Sequence, residues 1–368
     1  RPDAILHYTD PRFWGWLYQM EHEIRQEIPI FYYNIWDDWP APHYNENFYE
    51  CSDLIMNISK QTVAIVNEVA KNKPRTDLDC TYLPHGISEK YYRPISVFDE
   101  EYKSVLEMKK QLTDEDVEFV VFYNNRNIRR KNPGDVILAF KHFCDGLSKE
   151  EANKVCLLMH TQPIDDNGTD LPEVARVLAP DYKVYFSGKK LEVDKLNYLY
   201  NIADVTVNMA SNEGFGLGTA ESLMTGTPIV VNVTGGLQDQ CGFRKEDGSL
   251  LTKEDYTEEW GSNHDGRYKD HGSWVKPVWP ACRSLQGSPP TPYIFDDRCR
   301  WEDIGDKLLE WYNTPKEDRE KAGLEGREYC LREDTMLSAK NMGKAVIESA
   351  ENCWKNWKPV KQFQVYEV

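Results

Sequence analysis

The chain has 368 residues, 40% of them hydrophobic, and its 61 acidic against 44 basic residues give a formal net charge of −17. That length accommodates two domains with substantial cores, and the charge argues against a broad non-specific grip on nucleic acid while leaving room for a local basic site. No apolar run reaches the length of a membrane span and no secretory signal is legible, while the nine cysteines are scattered without a metal-type pair, so reduced thiols in a cytoplasmic protein are expected.

In chain order, DAILHYT (3–9) reads as a strand and FWGWLYQMEHEI (13–24) as a helix. IPIFYYNIW (28–36) is a strong strand closed by the turn-like DDWPAP, and LIMNIS (54–59) is another, followed by the helical KQTVAIVNEVAKN and the strand CTYLPHG. Strands alternating with helices predict a parallel sheet covered on both faces. This half offers about four strands, short of the five or six of a doubly wound domain. The charged stretch from Ile95 to Asp116 reads as a helical connector.

A second alternating series begins with VEFVVFYNN (117–125) and the basic turn RNIRRKNP, in which Asn132 and Pro133 have the types of an N-cap and first helical residue. The helix that follows is expected to place Val136, Phe140, Phe143 and Leu147 on one face. KVCLLMH, LPEVARVLA, YKVYFS and KLNYLYNIA continue as strand, helix, strand and helix. From Gln240 to Pro292 the periodicity fails, and three tryptophans favour an ordered insertion there. YIFDD then resumes a strand and three helical segments close the chain.

The chemistry concentrates in Asp204–Gly236. The strand DVTVNMA runs into the glycine turn EGFGLG, then the helix TAESLMT stopped by Gly226, then the strand PIVVNV and Gly235-Gly236. A helix N-terminus presenting the backbone amides of Gly216, Leu217 and Gly218 suits a phosphate or diphosphate, although such turns also simply let a helix pack closely on its sheet. Arg126 and Lys131, following another parallel strand, fall on the same carboxyl edge and would neutralise that diphosphate; a solvated basic turn is the plain alternative. The pairs Asp37-Asp38, Asp165-Asp166 and Asp296-Asp297 have the composition of turns rather than metal ligands.

Glu213-Gly214-Phe215-Gly216-Leu217, Glu221 eight positions after Glu213, Gly226, Pro228 and Gly235-Gly236 together resemble the signature of retaining GT-B glycosyltransferases of family 4 (glycosyl transferases group 1). RNIRRK, NIADVTVNMASNEGF, ISKQTV and LPHGISEKYYRP resemble further segments of that family, so the likeness spans nearly the whole chain apart from the insertion. The resemblance implies an α/β GT-B architecture with two Rossmann-like domains facing a cleft. On it, 1–94 is the acceptor-side domain, 95–333 the nucleotide-sugar domain with an insertion at 240–292, and 334–368 a helix and tail packing back on the first domain. The N-terminal domain is expected to lack its first strand and glycine-rich loop.

Residue by residue, the resemblance implies that Glu213 serves the donor sugar and the developing positive charge, and that Glu221 holds the ribose. Arg126 and Lys131 would bind the diphosphate, with Gly214, Phe215, Gly216, Leu217 and Gly218 lining the nucleotide sugar. The reaction it implies is sugar transfer from a nucleotide-diphosphate sugar with retention, with no cofactor and no divalent metal. Trp36 and Asp37, the acceptor-side candidates, stand where the family often carries a histidine, and His85 stands where an asparagine is common. The acceptor is open among glycan, lipid, small molecule, protein and modified nucleobase. A catalytically silent nucleotide-sugar-binding subunit and a nucleotide-sugar epimerase of the same architecture remain alternatives.

Overall fold

The computed structural model describes residues 2–71, 79–188, 190–257 and 266–361, so part of the expected insertion and the end of the expected tail lie outside the described residues. The N-terminal sheet has four strands in the order β1-β2-β3-β4: Ile5–Tyr8, Ile30–Asn34, Leu54–Asn57 and Asp79–Tyr82. All its pairings are parallel. Every residue of β2 and β3 is buried, which is why both read as unbroken apolar runs: helices cover both faces. FWGWLYQMEHEI is not one helix. A 3-10 turn at Pro11–Trp14 and two short helices, Gly15–Gln19 and Glu21–Ile24, break at Met20, as suits a stretch rich in aromatic residues and carrying a glycine.

The second sheet has six strands in the order β10-β9-β8-β5-β6-β7. Here β5 is Phe119–Asn124, β6 Val155–His160, β7 Val184–Phe186, β8 Val205–Asn208, β9 Ile229–Asn232 and β10 Val275–Val278. The chain fills one side of β5 with β6 and β7, then crosses to its other side with β8, β9 and β10. The reversal falls between β5 and β8, so the loops that leave their carboxyl ends diverge around a crevice. Asn132 and Pro133 stand at the N-cap and in the first turn of the helix Pro133–Asp145, as expected, but Asn132 makes no side-chain capping bond: it takes a left-handed φ of 48° and its side chain donates to Met209 O at 2.8 Å. Val136, Phe140 and Phe143 are buried as expected, while Leu147 lies past the helix end.

The stretch Gln240–Pro292 holds more order than its sequence shows. Val275–Val278 pairs with β9 as the last strand of the sheet, and its Pro277 is tolerable because an edge position needs no ladder N–H. YIFDD does not extend that sheet either: Thr291–Arg298 (β12) pairs antiparallel with Cys282–Ser288 (β11) as a hairpin. Asp296 and Asp297 are therefore buried strand residues rather than turn residues, and Asp38 is fully buried as well.

The hairpin reaches the N-terminal domain. Phe295 N donates to Trp39 O at 2.7 Å, the Tyr44 hydroxyl donates to Tyr293 O at 2.8 Å, and the two tyrosine rings meet edge to face at 4.8 Å. A buried polar seam joins the domains beside it: Lys60 N donates to Asp239 Oδ2 at 3.1 Å, Gln238 Nε2 to Gln61 Oε1 at 2.9 Å and Thr234 Oγ1 to Asp38 Oδ2 at 3.1 Å. The helix Ala339–Asn356 sets Trp354 against Phe31 with ring centres 5.5 Å apart. No described helix is long and apolar enough to cross a membrane.

His7, at the centre of β1, is fully buried and stacked on Tyr32 at 4.7 Å, and burial lowers its pKa from 6.5 to about 4. Between those values the unfolded chain holds a proton that the folded one refuses, so stability falls as pH drops through the window and is fully present above 6.5. The effect amounts to about 3 kcal/mol at the low end. Thermal unfolding of the wild type from pH 7 to 4 is expected to show a steeper fall in Tm than His7→Asn shows; parallel curves would contradict the assignment.

Candidate functional site

The crevice between β5 and β8 is walled by the loop 125–132 on one side and 209–216 on the other. Gly216 takes a φ of 90° as the N-cap of the helix Leu217–Thr225, a conformation that only glycine reaches without strain. A Cβ on Gly218 would lie 2.7 Å from Asn124 O, so the helix starts directly above the end of β5. The first-turn amides of Leu217, Gly218 and Thr219 sit there at the positive end of the helix dipole.

At the mouth of this turn sits Glu213, only 5% exposed. Its carboxylate is ion-paired with the buried Lys131 ammonium and with Arg130 Nη1 at 3.2 Å, and it accepts from Asn208 Nδ2 at 3.3 Å. Burial works against the charge of Glu213, but Lys131 and Arg130 outweigh it, so the carboxyl is held below the usual range. Arg130 also donates to Asn212 O at 2.8 Å and lies 3.7 Å from Asp37 Oδ2 of the opposite domain. Burial, with Glu213 nearby, raises the Asp37 carboxyl, and Arg130 opposes it.

The structure thus pairs Lys131 with Glu213 and sets the acceptor-side candidate Asp37 beside them. Arg126 is exposed and makes none of these contacts. Arg130, its neighbour four residues on, makes them instead; the run Arg129-Arg130-Lys131 was the only signal, and spacing alone does not say which side chain of a basic turn faces inward.

Glu221 projects from the same helix one site further along. It accepts from the Tyr200 hydroxyl at 2.6 Å, which itself accepts from Asn124 Nδ2 at 2.7 Å, and Tyr92 also binds it. Burial raises the Glu221 carboxyl, and the two tyrosines lower it less than burial raises it. Gly214 packs so closely that a Cβ would meet Ile35 O at 3.0 Å and Asp37 Oδ1 at 3.1 Å. The ring of Phe215 is buried edge-on against His85 at 5.3 Å, and Leu217 is half exposed. Trp36 spends its indole N–H on Asp38 O at 2.6 Å, with Tyr44 edge-on at 5.7 Å and the Arg12 guanidinium 6.0 Å from its ring centre.

Residues 105–258 match the family model of glycosyl transferases group 1. Among solved structures the chain is similar to Anabaena Alr3699/HepE in complex with UDP and glucose, with a TM-score of 0.66 at 12% identity over 95% of this chain and 78% of that one. It is also similar to the α,α-trehalose 6-phosphate synthase of Burkholderia multivorans (0.64, 12%, 96% and 73%). For sucrose-phosphate synthase from Thermosynechococcus elongatus the values are 0.59, 16%, 96% and 74%. No curated protein sequence matches the chain. Two all-parallel sheets, with these neighbours, establish the GT-B fold, and the matched residues 105–258, which hold the glycine turn, resemble glycosyl transferases group 1.

Proposed function

We propose that this chain transfers a sugar from a nucleotide-diphosphate sugar to an acceptor hydroxyl, with retention of anomeric configuration and without a divalent metal. The observation that carries the reading is the buried Glu213–Lys131 pair at the open end of the helix Leu217–Thr225. In this reading the diphosphate sits on the amides of Gly216, Leu217 and Gly218, with Gly214 and Phe215 shaping the turn and Lys131 and Arg126 supplying positive charge. Glu221 takes the ribose hydroxyls once Tyr200 or Tyr92 yields. The bond from the anomeric carbon to the diphosphate oxygen breaks as the bond to the acceptor oxygen forms, and the acceptor proton leaves with the diphosphate. Fixed cations and helix amides stabilise the leaving charge, and the Glu213 carboxylate stabilises the positive character on the sugar. Trp36 and Asp37 form the acceptor wall. Because HepE is found with UDP-glucose, UDP-hexoses are the first donors to test.

The experiment is calorimetric titration with UDP-, GDP- and ADP-sugars, followed by assays of nucleotide release with a panel of acceptors and NMR of the product anomer. Nucleotide release with a retained anomer supports the reading. Isomerised sugar would make the chain an epimerase, and binding without turnover across the panel a silent subunit.

A further inference from the structure

In the proposed donor site Lys131 is asked to serve two anions, Glu213 and the diphosphate. In the structure Glu213 Oε2 accepts from both Lys131 and Arg130, and Oε1 accepts from Asn208. If a diphosphate enters, it competes for Lys131 with more charge than a single carboxylate carries. Losing Lys131 would leave a nearly inaccessible carboxylate that must protonate unless another cation stays with it. Resting on the reading above, we propose that Arg130 is the positioning residue that keeps Glu213 ionised and aimed when the donor diphosphate engages Lys131.

Arg130 is built to stay. Its Nη1 donates to Asn212 O at 2.8 Å, its own carbonyl accepts from Ser211 N at 2.8 Å, and the side chain of the left-handed Asn132 holds Met209 O at 2.8 Å. Its backbone and side chain are therefore both tied to the 209–213 loop, and Arg130 moves with Glu213 as one body. The flexible ammonium of Lys131 has no such second tether to that loop among its described bonds. The planar guanidinium also spans two acceptors at once, which an ammonium on a flexible stem does poorly. Asp37 completes the row at 3.7 Å from Arg130 and comes from the opposite domain. The ionisable groups facing Glu213 are thus Lys131 and Arg130 from the loop after β5, the Tyr123 hydroxyl from β5 itself, and Asp37 from the loop after β2.

The test compares wild type, Arg130→Gln and Arg130→Lys by the pH dependence of kcat for nucleotide release. Arg130→Gln is expected to lower kcat about tenfold and to move the acidic limb of the kcat profile up by about one pH unit. Donor KM should stay within about twofold, and Arg130→Lys should recover part of the limb. A raised donor KM with an unmoved limb would make Arg130 a diphosphate ligand and overturn the proposal, as would three unchanged parameters. Should the wild type release no nucleotide, the transferase reading fails on its own. The proposal is then read from the Glu213 carboxyl by NMR of protein carrying 13C-labelled glutamate, with the signal assigned by its loss in Glu213→Gln and inorganic diphosphate as the probe. Diphosphate should raise the titration midpoint in Arg130→Gln or, if that variant does not fold, Arg130→Lys, more than in wild type; equal midpoints overturn the proposal.

Discussion

Glu213→Gln is expected to cut nucleotide release by about a hundred- to a thousandfold, a loss of about 3–4 kcal/mol of transition-state stabilisation. Glutamine keeps the shape and can still accept from Asn208, but it removes the charge that faces the anomeric carbon in the proposed transfer. The same change strands Lys131 in a site where it is only 7% exposed. Breaking one partner of a buried pair costs up to about 3–5 kcal/mol, and here the cost is reduced because burial already lowers the Lys131 pKa and a neutral amine is the cheaper occupant. A lower Tm at pH 7 should therefore recover in part at higher pH.

Binding separates loss of chemistry from loss of structure. Freed from Glu213, Lys131 can take up a proton and give its charge to a diphosphate as UDP binds, so UDP affinity in folded Glu213→Gln at neutral pH should equal or exceed that of the wild type. Lys131→Met should do the reverse and weaken UDP binding, because Glu213 keeps Arg130 and the diphosphate loses its ammonium. Calorimetry with UDP, nucleotide-release rates and thermal unfolding on the three proteins read these separately. Wild-type turnover in folded Glu213→Gln would remove Glu213 from the chemistry.

Much of this site could be read from the chain because its elements are locally consistent. Runs such as FVVFYN and IVVN are buried on both faces and could be little else than interior parallel strands. The glycine turn between β8 and its helix has the φ of 90° at Gly216 that its composition asks for. The parts that stayed hidden depend on side-chain direction and long-range pairing. Arg126 and Arg130 are chemically identical in a sequence, and only the 3-10 turn Arg129–Lys131 with the left-handed Asn132 behind it turns the second one inward. Val275–Val278 carries a proline and no alternation, so only its pairing with Ile229–Asn232 makes it a strand. That the indole N–H of Trp36 is committed to Asp38 O is likewise a matter of side-chain direction. The aspartate pair 296–297 has a turn's composition and a strand's geometry, because the hairpin is anchored at Ser211 and Trp39 rather than by its own pattern.

Gly236→Ala is expected to be nearly as damaging as loss of Glu213, although the residue touches no proposed substrate. A Cβ at this position would lie 2.2 Å from Gly214 O and 2.8 Å from Phe215 Cα. Both are backbone atoms of the 213–216 glycine turn, and Gly236 N also donates to Glu213 O at 2.8 Å. No rotamer can relieve a clash with backbone, so the 213–216 turn must retreat by roughly an ångström, a displacement worth about a hundredfold in rate when it moves a reacting group. The overpacking itself should cost about 1–3 kcal/mol of stability. Gly235, with φ 49° and a Cβ position 2.1 Å from Glu213 O, leaves the chain no slack on the other side. Gly343→Ala supplies the contrast: it lies in the helix Ala339–Asn356 with nothing within 4 Å of its Cβ position, so it should raise stability by about 0.5–1 kcal/mol and leave nucleotide release unchanged. If Gly236→Ala releases nucleotide at the wild-type rate, Gly235-Gly236 does not set the position of Glu213, and the close packing of the two loops has no part in the chemistry.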